Sequence, residues 1–175
     1  MSISKKKINN IIDYEIFDEI RNDASILNSE IKNVLKSIIV YIGDEIYIIK
    51  NNNHSNDTKS IINNLLSCFE EKIVKPDYQT KMNKIINDLN NFKRDCSNQI
   101  LLTRIEQYSN SYEEYIERIN SLFVSALILP YELYKISNNS DINNNHECDK
   151  LYDTFKNKLS KFNNDYKEEF LTFDN

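Results

Sequence analysis

The chain is poor in the residues that build tight turns. Its 175 residues include one glycine, Gly43, two prolines, Pro76 and Pro130, and no tryptophan. Glycine and proline supply the backbone conformations of tight turns, barrel corners, phosphate-binding loops and collagen-like repeats. Their scarcity argues against all of these structures, and an all-α fold fits the composition best.

Metal-binding and catalytic residues are also scarce. The chain has three cysteines, Cys68, Cys96 and Cys148, and two histidines, His54 and His146. The cysteines are widely spaced and form no Cys-x-x-Cys pair, which is typical of reduced, partly buried thiols. A structural zinc site needs four Cys or His ligands close together, and a two-metal bundle needs a Glu-x-x-His motif that the sequence lacks. We therefore expect no metal, no cofactor and no enzymatic activity.

The charge of the chain is acidic. A formal net charge of −5 and a pI near 5.2 argue against nucleic-acid binding, because phosphate contacts require a basic surface. Residues 1–10 carry the only run of lysines, and we interpret them as a flexible basic tail. They have no apolar core that would mark a secretory signal, and the apolar run 122–129 is shorter than the roughly 20 residues of a membrane span. We expect a cytoplasmic protein without a transmembrane segment.

Two long stripes of apolar residues dominate the sequence. Within each stripe the spacing alternates between three and four, the heptad pattern of a helix with one covered face. The pattern predicts a central helix over 101–129 and an N-terminal helix over 11–42. The central stripe comprises Leu101, Ile105, Tyr108, Tyr112, Tyr115, Ile119, Leu122, Ala126 and Leu129. The N-terminal stripe comprises Phe17, Ile20, Ala24, Leu27, Ile31, Val34, Ile38 and Tyr41.

The stretch 37–50 fits two different structures. Its β-branched residues on both sides of Gly43 and Asp44 favour a small β-hairpin. Gly43 equally suits the position just after the end of a helix. An isolated two-stranded ribbon is only marginally stable, and no other predicted strand extends it. The stretch 37–50 is therefore expected to be either helix or a helix end, with the hairpin as the alternative.

Shorter helices complete the pattern. A helix over 59–74 ends before Pro76, because proline cannot continue the backbone hydrogen bonds. Asp77 can cap a following helix that extends to Cys96. A final amphipathic helix begins near Glu147, with Phe170 and Phe173 trailing its apolar face.

Breaks between the helices are marked by three kinds of signal. The apolar register slips by two residues before the central helix, which predicts a turn over 95–98. Pro130 predicts a stop or kink, with 131–136 as a kinked last turn. The Asn-rich stretches 51–58 and 137–146 are predicted loops.

These segments predict a single helical domain over 1–175. It is an elongated bundle of four to five amphipathic helices with coiled-coil-like seams. The central helix would be about 43 Å long, whereas a compact domain of this length has a radius of gyration of roughly 16 Å. Long helices extend beyond the shorter ones, so part of a seam is left for another chain.

The centre of the packing seam is the predicted site of interaction. Its tyrosines could stack bases or line a ligand cavity, but at helical spacing they are more typical of a core or an interface. The predicted partner-binding residues are Tyr108, Tyr112, Tyr115, Ile119 and Leu122 on the central helix, with Phe17, Ile20, Leu27, Ile31 and Val34 opposing them.

The sequence supports two functions better than catalysis. The first is a structural or adaptor protein, or a complex subunit, that packs its helices against a protein partner or a second copy of itself. The alternative is a closed helical bundle that captures an amphipathic helix in a groove, as cell-death regulators and their viral mimics do. An enzyme or cofactor-binding bundle is the least supported class.

Overall fold

The computed structural model describes residues 2–51, 55–138 and 144–166, with side chains described from Ile11 in the first range and from Thr58 in the second. These residues form five α-helices and no strand, which confirms the prediction of an all-α bundle. The helices are α1 (Ser2–Asn51), α2 (Ser55–Phe69), α3 (Tyr78–Asp95), α4 (Gln99–Asn138) and α5 (Asn144–Asp165).

Helix α1 is longer at both ends than the sequence pattern predicts. It includes residues 2–10, which the lysine run suggested as a tail, and it continues through Gly43 to Asn51. The β-hairpin over 37–50 is therefore wrong. The alternative expectation of helix over 37–50 is confirmed, although the helix does not end at Gly43, and this glycine has no positive φ.

Burial explains why 37–50 is helical. Ile38, Ile42 and Ile46 recur at helical spacing, and all three side chains lie in the core. Their packing on one face outweighs the preference of β-branched residues for strands, which is weak and depends on context.

Helix α2 ends in a π-helical turn, Glu70–Val74. The backbone N–H of Lys75 donates to the carbonyl oxygen of Glu70 at 2.9 Å, five residues back. Pro76 follows directly, so the predicted helix end before this proline is confirmed. Asp77 then adopts a φ of 51°, a left-handed conformation that Asp tolerates better than most residues.

Residues 96–98 separate α3 from α4, which confirms the predicted turn. The side chain of Asn98 caps α4. Its Oδ1 accepts hydrogen bonds from the backbone N–H of Ile100 at 3.1 Å and of Leu101 at 3.2 Å.

Pro130 does not end α4, which continues to Asn138. Leu133 and Ile136, beyond the proline, are buried, and this packing holds the last turns helical. Both Asn-rich stretches are partly helical at their edges. The remaining residues of these stretches, and the predicted apolar residues Phe170 and Phe173, lie outside the described part of the chain.

The chain divides into two compact units. The first contains α1 up to Glu30, α3 from Gln79 and α4 up to Glu117. Each of its helices contributes one apolar stripe to the core. The core residues are Phe17, Ile20, Ala24 and Leu27 of α1, Met82, Ile85, Leu89 and Phe92 of α3, and Leu101, Ile105, Tyr108, Tyr112 and Tyr115 of α4.

The second unit contains α1 from Ile31, α2 with its π-helical turn, α4 from Arg118, and α5. Its core is built from four helices. The core residues include Ile31, Leu35, Ile38, Ile42 and Ile46 of α1, Leu65 and Phe69 of α2, Ile119, Leu122, Ala126, Leu129 and Leu133 of α4, and Cys148, Phe155, Leu159 and Phe162 of α5.

The N-terminal stripe departs from the predicted heptad after Ile31. Val34 is only half-buried, and Leu35 occupies the core position instead. A straight α-helix has 3.6 residues per turn, so its buried face drifts by about 20° per heptad relative to a strict 3.5 repeat. The buried face therefore shifts by one residue, from position 34 to position 35.

Candidate interaction surface

The predicted partner-binding residues lie inside the two units. All of them except Val34 are buried, and Tyr108, Tyr112, Tyr115 and Ile119 have no exposed surface. A partner could reach these side chains only if the helices separated. Their partner-binding role stays a prediction, and in the folded chain a contact surface has to be sought among exposed residues.

The tyrosines form a stack in the core of the first unit. Ring centroids of Tyr108 and Tyr112 are 6.4 Å apart, and those of Tyr112 and Tyr115 are 5.6 Å apart. Phe17 packs edge-on against Tyr108 at 5.6 Å, an arrangement that aromatic quadrupoles favour. These contacts place α1 opposite α4, and they leave the tyrosine faces covered by protein.

Two of the tyrosine hydroxyl groups in this core can be described from their surroundings. The hydroxyl of Tyr115 donates a hydrogen bond to Oδ1 of Asn28, and both residues are buried. Burial raises the pKa of Tyr112 far above its ordinary value, because an ionised phenolate would be poorly solvated there. Tyr112 is therefore a neutral part of the core at physiological pH.

An exposed apolar stripe runs along the outer side of α4 in the second unit. We call it the α4 stripe, and it consists of Val124, Leu127, Ile128, Tyr131 and Tyr134. Four of these side chains are strongly exposed, at 53% for Val124, 47% for Ile128, 61% for Tyr131 and 45% for Tyr134. Leu127 is half-buried.

The α4 stripe makes this part of α4 apolar on nearly every side. On the inner side, Leu122, Ala126, Leu129 and Leu133 already pack into the core of the second unit. A helix that is apolar all round is normally buried all round. Contiguous exposed apolar residues on a folded protein mark contact sites more often than isolated ones do.

A shallow groove adjoins the stripe between α4 and α5. Its volume is about 200 Å³, and Ile128, Leu129, Leu151 and Phe155 form its apolar floor. The rim is polar: Lys158 Nζ donates to Ser125 Oγ at 2.9 Å. An apolar floor with a polar rim is the usual design of a protein contact surface.

Two further grooves differ in character. One, of about 480 Å³, lies between α1 and α5 and exposes Val40 and Tyr47 beside the ion pair of Lys50 with Asp149, whose N–O distance is 2.8 Å. The other, of about 420 Å³, lies between α1 and α3 in the first unit. It is lined by carboxylates with one lysine, and its charged residues are Asp13, Glu19, Asp23, Lys84, Asp88 and Asp95.

A polar cluster joins α1 to the end of α2 in the second unit. Lys72, in the π-helical turn, donates from Nζ to Ser37 Oγ at 2.6 Å. Burial, and then the nearby Glu45, raises the pKa of Tyr41. Burial likewise raises the pKa of Cys68, which keeps its thiol protonated and poorly nucleophilic. The cluster is a polar link between two helices, and its thiol is not activated.

Among the described side chains, no three His, Cys, Asp or Glu residues are grouped so that they could hold a metal ion. None of the described helices contains an apolar stretch of membrane-spanning length.

The chain matches no protein family, no curated protein sequence and no solved structure with significance.

Sequence reasoning missed the α4 stripe, although a signal was present. Nearly every residue over 122–134 is apolar, which exceeds what one buried face requires. The heptad reading selected only Leu122, Ala126 and Leu129 from this segment. The remaining apolar residues form a second face, and only the packing of α4 in the second unit shows that this face is exposed.

Proposed function

We propose that the protein is a structural or adaptor protein, or a subunit of a complex, that acts through helix–helix contacts and has no catalytic activity of its own. One observation carries this proposal: the α4 stripe is an exposed apolar face on a helix whose opposite face is already in the core. A second helix packed on the stripe would cover the face that the core leaves exposed.

The stripe is large enough for a helix–helix contact on it to be energetically favourable. Full burial of one Val, Ile or Leu side chain stabilises by about 1.5–3 kcal/mol relative to full exposure. The stripe residues are about half exposed, so each can contribute roughly half of this free energy, and several together can drive association. Tyr131 and Tyr134 suit the edge of an interface, because a tyrosine buries its ring while its hydroxyl reaches water.

An intracellular site of action fits the cysteines. Cys68, Cys96 and Cys148 are free thiols, which a reducing compartment maintains. We therefore propose that the partner is met in the cytoplasm.

Charge reversal on the stripe tests this proposal. We would tag the chain in its own cells and measure the native mass of the complex that contains it, for wild type, Ile128→Lys and Tyr131→Lys. The matched control is Ile100→Lys, which alters an isoleucine of the same helix that is 70% exposed but lies outside the stripe.

The expected result is a smaller complex for both stripe variants and an unchanged complex for Ile100→Lys. Helix content, measured by circular dichroism on the purified variants, should stay at the wild-type value because all three positions are exposed. Stripe variants that keep both their helix content and the wild-type complex would rule the proposal out.

A second candidate function is capture of an amphipathic helix from a partner. The groove between α4 and α5 favours it, because Leu129, Leu151 and Phe155 offer an apolar floor beside the charged Glu132 and Lys158. Titration with amphipathic helical peptides tests this function. Saturable binding that Leu151→Lys abolishes supports capture, and the absence of any saturable binding contradicts it.

A further inference from the structure

We propose that a second copy of this chain covers the α4 stripe, and that the two α4 helices pair antiparallel about a two-fold axis that crosses the outer side of α4 at the level of position 126. This inference rests on the proposed function and names the partner. It follows from the order of apolar and charged residues along the exposed side of α4.

The exposed side of α4 repeats as a heptad seam. Ser121, Val124, Ile128, Tyr131 and Lys135 follow one another at alternating spacings of three and four, and all five are exposed. This pattern is the signature of a helix that packs lengthwise against another helix. The seam is about 21 Å long at 1.5 Å per residue, and Glu117 continues it one turn toward the N-terminus.

The seam is symmetric about its own midpoint. Position 126 is halfway between Val124 and Ile128, halfway between Ser121 and Tyr131, and halfway between Glu117 and Lys135. In an antiparallel pair with its two-fold axis at this midpoint, the members of each couple face each other across the interface. At the centre, Val124 of each copy then faces Ile128 of the other. On either side of this apolar centre, Ser121 of one copy faces Tyr131 of the other.

Charge selects the orientation of the pair. Glu117 and Lys135 are both exposed and stand about five whole turns apart, so they lie on the same side of α4. Antiparallel pairing places Glu117 of each copy beside Lys135 of the other, whereas parallel pairing sets like charges against each other. Within one chain, Lys135 Nζ is 3.7 Å from Glu132 Oε1, a surface contact that is weak enough to be exchanged.

A two-fold pair also closes the surface. The same seam is used by both copies, so no seam residue is left to recruit a third chain. The result is a defined dimer, and no open filament forms.

The test is the solution mass of the purified full chain, measured by sedimentation equilibrium from about 1 µM to about 1 mM. Four chains test the charges: wild type, Glu117→Lys, Lys135→Glu, and the double variant with both changes. Ile128→Lys serves as the variant that breaks the apolar centre, and Ile100→Lys is the exposed control. Circular dichroism checks that each chain keeps its helix content.

We expect the wild type and Ile100→Lys to dimerise. Each single charge reversal should weaken dimerisation at least about tenfold, because the symmetric pair then contains two like-charge contacts. The double variant should recover wild-type affinity, since it exchanges the two charges. Recovery by charge exchange occurs only where these two residues face each other.

Three outcomes would overturn the inference. A dimer that is insensitive to Ile128→Lys and to both single reversals uses another surface. A dimer that both single reversals weaken and the double variant does not restore has another orientation. A wild type that is monomeric throughout overturns self-pairing, and the proposed function then stands if stripe variants still reduce the complex in cells and falls if they do not.

Discussion

Gly43 lies inside α1, about two turns before its C-terminal end, with the side chain of Tyr152 against it. A Cβ atom added at Gly43 would be 3.2 Å from both Cε2 and Oη of that side chain, closer than an ordinary van der Waals contact. The only glycine of the chain therefore serves a close approach between α1 and α5, and not a turn.

Substitutions at Gly43 test this relationship. We expect Gly43→Leu to lower the free energy of unfolding by about 1–3 kcal/mol, because the larger side chain displaces Tyr152. Gly43→Ala should change it by less than about 0.5 kcal/mol, because the gain in helix propensity offsets the tight contact. Urea unfolding of each variant measures the change.

A Tyr152→Ala background provides the control for Gly43. Without the ring, Gly43→Ala should stabilise by about 1 kcal/mol, the full difference in helix propensity. An equal effect of Gly43→Leu in both backgrounds would show that the contact with Tyr152 is unimportant.

The hydrogen bond from Tyr115 to Asn28 should stabilise the first unit. Tyr115→Phe removes the donor and leaves the buried amide oxygen of Asn28 without it, so we expect the free energy of unfolding to fall by about 1–3 kcal/mol. Tyr47→Phe, at a position 68% exposed, should change it by less than about 0.5 kcal/mol.

Removing both partners separates the hydrogen bond from packing. Adding Asn28→Leu to Tyr115→Phe should restore part of the lost stability, because neither polar group then remains buried alone. If the second substitution instead adds its full cost, the two residues are not coupled and the hydrogen bond does not stabilise the unit.

Much of the fold could be predicted because burial in a helix leaves a periodic trace. Phe17, Ile20, Leu27 and the residues of the central stripe recur at helical spacing, and the structure buries them. The prediction that Val34 lies on the buried face was wrong, because a heptad is only an approximation to 3.6 residues per turn. The predicted turn or helix end at Gly43 was wrong, because the sequence does not show that the side chain of Tyr152 packs against this residue and requires a glycine there.

The interaction surface could not be predicted in the same way. Periodicity identifies apolar faces, but Leu129 and Ile128 look alike in sequence, and only tertiary packing decides which of them is covered. The same limit affects mutational tests on the predicted residues. Ile119 is fully buried, so Ile119→Asp would bury an unpaired charge and unfold the chain, which hides any effect on a partner.

Tyr112 should make the stability fall at alkaline pH. Its pKa is raised by burial, so the folded chain keeps the phenol neutral above pH 10, where the unfolded chain ionises it. The unfolded state then binds fewer protons than the folded state, and the free energy of unfolding falls with pH by about 1.4 kcal/mol per pH unit. Below about pH 9 this residue contributes no pH dependence.

Urea unfolding between about pH 8 and pH 11 measures this slope for wild type and Tyr112→Phe. The free energy of unfolding of wild type minus that of Tyr112→Phe should be constant up to about pH 9 and then fall as pH rises. Tyr47→Phe is the matched control and should retain the wild-type slope. Identical slopes for wild type and Tyr112→Phe would show that another group controls the alkaline transition.

Arg118 should hold the end of α5 in place. Its guanidinium is 2.7 Å from Asp165 Oδ2 and lies over the rings of Phe162 and Tyr166, at 5.8 and 5.0 Å from their centroids. One planar cation thus makes an ion pair and two ring contacts, worth about 1–2 kcal/mol together at a partly exposed site. Arg118→Ala should release this end of the helix.

Hydrogen exchange of the backbone amides over 162–166 measures this release. We expect exchange about tenfold faster in Arg118→Ala, with protection elsewhere in α5 changed much less. Arg118→Lys should fall between Ala and wild type, because it keeps the charge but loses the planar stacking on the rings. The control is Arg104→Ala. Arg104 is an exposed arginine on α4, the helix that carries Arg118, and its replacement should leave exchange over 162–166 unchanged. If Arg118→Lys exchanges as slowly as wild type, charge alone secures the helix end and the ring contacts add nothing.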